Sequence, residues 1–477
     1  MGSPARPRSP AAWTAVTLAL AGLGVRIWAS VGIWPASLRT HDTAAYVRAA
    51  HLGLGKDPLE PTGYSIFLRV AHAISAQLAF TVALQHALGL ASGLLLFLAV
   101  RRLSGSVWIA LAGAAVIWLS ADQIFLEQVL LSETLFVFVL MVAMYALVAS
   151  RDSQSYVWPA LAGGAIVALP FVRGVAVPMV PLLGLFLLYA LWRVRGAWLR
   201  RAGVALAGAL LVVAGYSAVR HHDTGSWSVS TQGGGWALYS RTAQFADCTK
   251  FKPPAGTRPL CETTPASQRL SVDTYSWQPQ SPAIRTFGEP PRGSRQLAEF
   301  GLAAIEHQPG DYAHAVLIDM ERYVDATAGD PKPGDFSGPG SLGFASAGKP
   351  DPEAEREVRS YYSGFRLHAG SAHALSRYQS VLRVHPWLLA LLAALSLCGV
   401  LFARGMLRFG AVLFAVSGLA LLAIPALTTS TTWRYSIPAA PLLAAAGAIG
   451  AAWLWPAVAT ALARVRPPRA GRAAATQ

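Results

Sequence analysis

Asp42 and Tyr46 stand four residues apart in the stretch Leu38-Arg39-Thr40-His41-Asp42-Thr43-Ala44-Ala45-Tyr46. On a helix that spacing puts both on one face, so a carboxylate at the helix start has a phenol beside it. An Asp in that place also serves as a simple N-cap, and residue types alone leave both roles open. Glu133 lies in Leu131-Ser132-Glu133-Thr134-Leu135, inside an apolar run. A charge there costs about 2.5–3.5 kcal/mol at the bilayer centre, so it requires either a structural ion pair with an arginine or a polar cavity. Arg173 falls in a short turn between two apolar runs, and Arg434-Tyr435 opens the last run with Pro438 and Pro441 behind. Guanidinium groups at headgroup depth match a lipid phosphate through paired donors, although each can equally anchor a helix end at the interface.

The elements that must position these groups follow from composition. The 477 residues are 54% hydrophobic and 13% charged, against about 25% charged in soluble globular domains, which excludes a single soluble domain. Apolar runs near 11–32, 80–100, 105–121, 129–150, 156–172, 175–192, 203–219, 385–403, 408–428 and 437–460 predict an all-α polytopic membrane protein of about ten transmembrane helices. An even count puts both termini on one side, and Arg6, Arg8, Arg464, Arg466, Arg469 and Arg472 assign that side to the cytoplasm. Arg101, Arg102, Arg151, Arg193, Arg195, Arg200, Arg201, Arg404 and Arg408 fall in turns on the same side. Residues 220–385 hold 17 basic and 17 acidic residues. The net charge of +15 therefore belongs to the cytoplasmic turns and ends, and nucleic acid is not an expected partner.

Two segments face outward in this topology. The first outer loop, 33–79, has short helices broken between Pro58 and Gly63. The second, 220–384, reads as a mixed extracytoplasmic domain between helices 7 and 8, with helical pieces near 294–324 and 352–380 and a Pro/Gly/Ser-rich stretch at 327–352. The chain thus divides into a seven-helix membrane module (1–219), the outward domain (220–384), a three-helix module (385–463) and a cytoplasmic tail (464–477). Cys248 and Cys261 both lie in the outward domain, whereas Cys398 lies in a span, so a disulfide between the first two is expected in an oxidising compartment. Trp227, Trp236 and Trp277 offer either sugar-stacking faces or ordinary core packing. Gln85 and His86 lie in the second span, facing a cavity or joining helices.

Asp-x-x-x-Tyr at Asp42 and Tyr46, Pro-x-Gly-Tyr at Pro61, Gly63 and Tyr64, Ser-Glu-x-Leu at Ser132 to Leu135 and Arg-Tyr-x-x-Pro-x-x-Pro at Arg434 to Pro441 recur here in order. Together they resemble membrane glycosyltransferases of the GT-C superfamily, in the polyprenyl-phosphate-dependent branch that includes protein mannosyltransferases and aminoarabinose transferases. Gly233 to Arg241 and Ala246 to Glu262 are similar to actinobacterial members, and 34 Arg against five Lys fits a GC-rich genome. The resemblance implies a bacterial cell-membrane enzyme using a polyprenyl-phosphate-linked sugar donor and a glycan, lipid or protein acceptor. It also implies that Asp42 is the general base, with Tyr46, Tyr64, Glu133, Arg173, Arg434 and Tyr435 binding substrate. The first loop has no Asp-x-Asp and no Asp-Glu pair at 42 and 43, so no divalent metal or other cofactor is expected. A lipid-linked glycan ligase or polymerase also accounts for a large outward domain. A secondary transporter fits less well, because a long insertion after seven spans breaks the symmetry of two related halves.

Overall fold

A computed structural model describes residues 10–194, 196–229, 231–325, 327, 343–429 and 432–465. The tail beyond 465, Arg6, Arg8, Arg195 and most of the 327–352 stretch lie outside the described residues. The chain begins with α1 (Pro10–Gly32), followed by α2 (His41–Leu52) and α3 (Gly63–Ile74), separated by the break expected before Gly63. Next come α4 (Leu78–Ser104), α5 (Val107–Leu119), α6 (Ala121–Gln128), α7 (Glu133–Asp152), α8 (Val157–Val172), α9 (Met179–Trp192) and α10 (Trp198–Thr224). Residues 220–384 carry α11 (Gly234–Ala243), α12 (Val272–Trp277), α13 (Pro282–Phe287), α14 (Ser294–His307), α15 (Pro309–Glu321), α16 (Pro352–Tyr361) and α17 (Ala372–Val381). The last helices are α18 (Pro386–Phe402), α19 (Gly405–Thr428) and α20 (Ser436–Val465). Among the described residues there is no named strand; two isolated bridges pair Trp34 with His368 and Ser37 with Val129.

Among the described residues, seven helical stretches are long and apolar enough to cross a membrane: α1, α4, α7, α10, Ala372–Phe402, α19 and Trp433–Trp455. Counting α5 and α6 as one bent span makes eight. The expected spans at 156–172 and 175–192 are the helices α8 and α9, of 16 and 14 residues. At 1.5 Å per residue each falls short of a ~30 Å hydrocarbon layer. The run at 105–121 ends at Leu119, where Ser120 turns to extended backbone and the chain bends by 45° into α6.

The bend has a polar cause. Asp122, Gln123, Glu127 and Gln128 make α6 unfit to face lipid, and all eight of its residues are buried in protein. Arg26 of α1 clamps it: Nε and Nη2 each donate to Glu127 at 2.7 Å, while Nη1 donates to the Gly22 and Trp118 carbonyls. His86 Nδ1 lies 2.8 Å from the same carboxylate, and Gln123 donates to it at 3.0 Å. A buried ion pair is tolerated only when its remaining hydrogen bonds are satisfied, and this one is saturated. Gly89 makes room for it, since a Cβ there would fall 1.8 Å from Glu127 Oε1.

The 220–384 segment packs in two ways. Its 236–304 part has its own apolar core, with Trp236, Tyr239, Phe251, Tyr275, Leu297 and Phe300 buried together. The Cys248–Cys261 disulfide forms and packs against that core. Phe344, Val358, Tyr362 and Leu375 instead share a core with Val47, Tyr64, Leu68 and Phe125. Arg48 of α2 reinforces that seam by pairing with Glu353 and, at 3.1 Å, with Glu357 of α16.

Candidate active site

The charged side chains named from the sequence sit at the ends of elements, where a helix start or turn can aim them. The α2 N-cap residue is Thr40, and Asp42 lies in the first turn. Asp42 Oδ2 accepts from Arg434 Nη1 at 2.8 Å, so the carboxylate meets a guanidinium. Arg434 and Tyr435 belong to a single 3₁₀ turn, Trp433–Tyr435, that feeds α20. Glu133 starts α7, and Arg173 terminates α8 in extended backbone.

These ends converge. Glu133 Oε1 lies 2.5 Å from Arg173 Nη1 and 3.5 Å from Arg434 Nη1, so one buried carboxylate is shared by two guanidinium groups. This pairing compensates the acid in its apolar surroundings, and it also fixes two cations side by side. The Tyr435 ring lies under both, with centroid distances of 5.4 Å to Arg173 and 5.9 Å to Arg434. Both arginines reach acidic partners within the protein, Arg173 at Glu133 and Arg434 at Asp42 and Glu133.

Tyr46 follows Asp42 by one turn and is buried. Its hydroxyl donates to Glu60 Oε2 at 3.0 Å and lies 3.0 Å from Ser132 Oγ, which in turn accepts from Arg173 Nη1 at 3.3 Å. Arg173, Ser132, Tyr46 and Glu60 thus form a consistent donor-to-acceptor relay. Tyr64 stands edge-on to Tyr46, 5.0 Å between centroids, and donates to Gln85 Oε1 at 2.6 Å. Gln85 donates to the Glu127 and Val129 carbonyls. Gln85 and His86 are therefore helix-joining residues that hold the first loop and α6 in place.

Glu60 was not marked by any motif. It sits in the Asp57–Pro61 turn, where Asp57 Oδ1 accepts from the Leu59 and Glu60 amides. Burial, and after it the negative charge of Asp42, raises its carboxyl from the usual carboxylate range to about 7. The phenol of Tyr46 is likewise pushed well above its ordinary value, first by burial and then by Glu60. A Glu followed by a Pro-x-Gly-Tyr motif is the only sequence signal that pointed here, and it lies one residue outside the motif.

Asp42, Glu60 and Arg434 face a chamber of about 1010 Å³. Its walls come from the start of α2, the 57–60 turn, α6, residues 270–280 and the 432–437 turn. Arg434 also lines a second space with Arg173 and Glu133, a notch of about 10 Å³ whose other walls are mostly apolar, including Val175, Leu421, Ile424 and Pro425. Arg434 thus lines both the large chamber and this water-sized notch. Among the described residues no cluster of three or more His, Cys, Asp or Glu has the spacing to hold a metal ion.

No family model matches the chain, and no curated protein matches it. Among solved structures it is similar to a protein O-mannosyltransferase complex of S. cerevisiae bound to the sugar donor, with 15% identity and a TM-score of 0.38. That match covers 56% of this chain and 38% of the other.

Proposed function

We propose that this chain is an integral membrane glycosyltransferase, which moves a sugar from a polyprenyl monophosphate to an acceptor hydroxyl with inversion. The observation that carries this reading is the contact of Asp42 with Arg434, beside a second cation, on the wall of a large chamber. The lipid phosphate replaces the Asp42 carboxylate on Arg434, with Arg173 adding a second set of donors. Asp42, released from its cation, becomes basic enough to take the proton of the acceptor hydroxyl. The acceptor oxygen bonds to the anomeric carbon as the bond to phosphate breaks, and the negative charge that develops on the leaving phosphate is stabilised by the two guanidinium groups. With the acceptor hydroxyl at Asp42 and the phosphate on the guanidinium groups, attack and departure take opposite faces of the sugar, which gives inversion.

Tyr46, Tyr64, Glu133 and Tyr435 shape the floor on which this occurs, and Glu60 is added to them. The same reading places the enzyme in a bacterial cell membrane, among lipids, with both termini cytoplasmic and residues 220–384 outside. Donor then enters from the outer leaflet. Reporter fusions after Arg220 and near the C-terminus check the topology; a cytoplasmic signal from the first overturns it.

The direct test is turnover. Purified protein in lipid nanodiscs, given a panel of polyprenyl monophosphate sugars, is expected to release polyprenyl phosphate, and the Arg434→Ala variant is expected to fail at low donor concentration. Release from polyprenyl diphosphate glycans alone would make the chain a ligase or polymerase instead.

A further inference from the structure

The chamber is larger than a donor sugar needs, being at the top of the ~300–1,000 Å³ range of small-molecule sites. One wall has no part in the phosphate site. It is the stretch 270–280, which contributes Asp273, Thr274, Trp277, Gln278 and Gln280 to the lining. We infer that this wall is the acceptor subsite and that its ligand is a neutral carbohydrate chain; the inference rests on the glycosyl-transfer reading above.

The wall is built to be rigid. Ser271 caps α12, its hydroxyl accepting from the Thr274 amide at 3.2 Å. Val272 and Tyr275 turn into the apolar core, and the Tyr275 hydroxyl donates to Glu262 at 2.5 Å. Ser276 donates to Ser240 on α11 at 2.8 Å. With Val272, Thr274, Tyr275 and Ser276 buried in this way, Asp273 and Trp277, four residues apart, are presented together on the chamber side.

The chemistry of that face selects the ligand. Trp277 is 55% exposed, and among the described residues no other ring packs against it. A flat indole open to a chamber is suited to the apolar C–H face of a sugar ring. Carboxylate and amide groups beside it accept from and donate to the paired hydroxyls of that ring. The stretch carries no cation, and the chamber as a whole is lined by six carboxylates against three guanidinium groups. An anionic acceptor is therefore disfavoured. A peptide acceptor finds neither a strand edge nor an apolar side-chain pocket in this wall, the features by which extended peptides are commonly held.

The test uses the full chain in nanodiscs and a panel of neutral di- to tetrasaccharides of mannose, glucose, galactose and arabinose, with binding read by saturation-transfer NMR. At least one is expected to bind. Trp277→Ala is expected to weaken that binding roughly tenfold or more, the size typical of truncating an aromatic anchor, while Trp277→Phe retains much of it. A Ser/Thr-rich peptide is expected not to compete. Absence of binding across the panel, displacement by the peptide, or unchanged binding by Trp277→Ala overturns the inference. Polyprenyl phosphate binding is measured in parallel on the same samples. Saccharide binding without donor binding or turnover sinks the transferase reading and leaves this subsite standing, whereas donor turnover without saccharide binding does the reverse.

Discussion

The Tyr46 hydroxyl donates to Glu60 at 3.0 Å, joining the helix that carries Asp42 to a second carboxyl group in the chamber. That group is the titratable element of the site. Its folded value, about 7, lies above the ordinary value of 4.5, so folding favours the neutral form. The contribution of Glu60 to stability is accordingly full below pH ~4.5 and lost as pH rises through about 7. Glu60→Gln cannot ionise and escapes that loss. Thermal unfolding of both proteins at pH 5.5 and 8.5 is expected to show the variant gaining on the wild type at the higher pH. An equal difference at both values would mean that Glu60 ionises freely.

Asp42 and Arg434 neutralise each other when no donor is present. On the proposed mechanism, Asp42→Asn removes both the base and a competitor for the phosphate. Turnover is expected to fall by ~10²–10⁴ while donor affinity is kept or improved. Arg434→Ala is expected to act in the opposite sense, weakening donor binding by about tenfold or more through loss of a charge-assisted contact. Equilibrium binding of a polyprenyl phosphate, measured beside single-turnover rates, separates the two effects. Near-normal transfer by Asp42→Asn would remove Asp42 from catalysis.

The clamp between Arg26 and Glu127 is structural, and its failure should be global. Glu127→Ala leaves Arg26 buried without its partner, an imbalance that typically costs about 3–5 kcal/mol. Gly89→Ala is expected to destabilise through the same carboxylate, by pushing it out of place. Both variants should unfold at lower temperature in detergent. A melting point unchanged in Glu127→Ala would show that the pair carries no structural weight.

The Cys248–Cys261 bond closes a separation of 13 residues, and it is expected to contribute at most about 3 kcal/mol to its part of the chain. Glu262, next to Cys261, holds Tyr275 and through it α12. Replacing both cysteines by serine should thus raise the KM for acceptor and leave donor affinity alone. Equal loss at both substrates would point to general unfolding.

The membrane character, the helical first loop and the pieces near 294–324 and 352–380 were legible because each rests on local composition and periodicity. The site was legible where a charge stood in an apolar run, as with Glu133, or at the end of one, as with Arg173 and Arg434. Glu60 carried no such mark, since an acid in a polar turn looks like any solvated residue until tertiary structure buries it. The bend between α5 and α6 was equally hidden. Asp122 and Glu127 show in the sequence as acids at a span end, but only the arrival of Arg26 and His86 makes a buried helix of them. The shortness of α8 and α9 was lost because apolar runs show where lipid is tolerated, and not where a helix stops.

Asp42 and Arg434 are separated by 392 positions. In the proposed mechanism, a chain synthesised from its N-terminus therefore has Asp42 in place long before the turn that carries Arg434 exists. Loop closure over such a distance comes late, after the intervening helices are inserted. On that mechanism the nascent protein is expected to be silent until the last helix arrives. A chain cut short before Trp433 would occupy the membrane with most of its helices and hold only half a site.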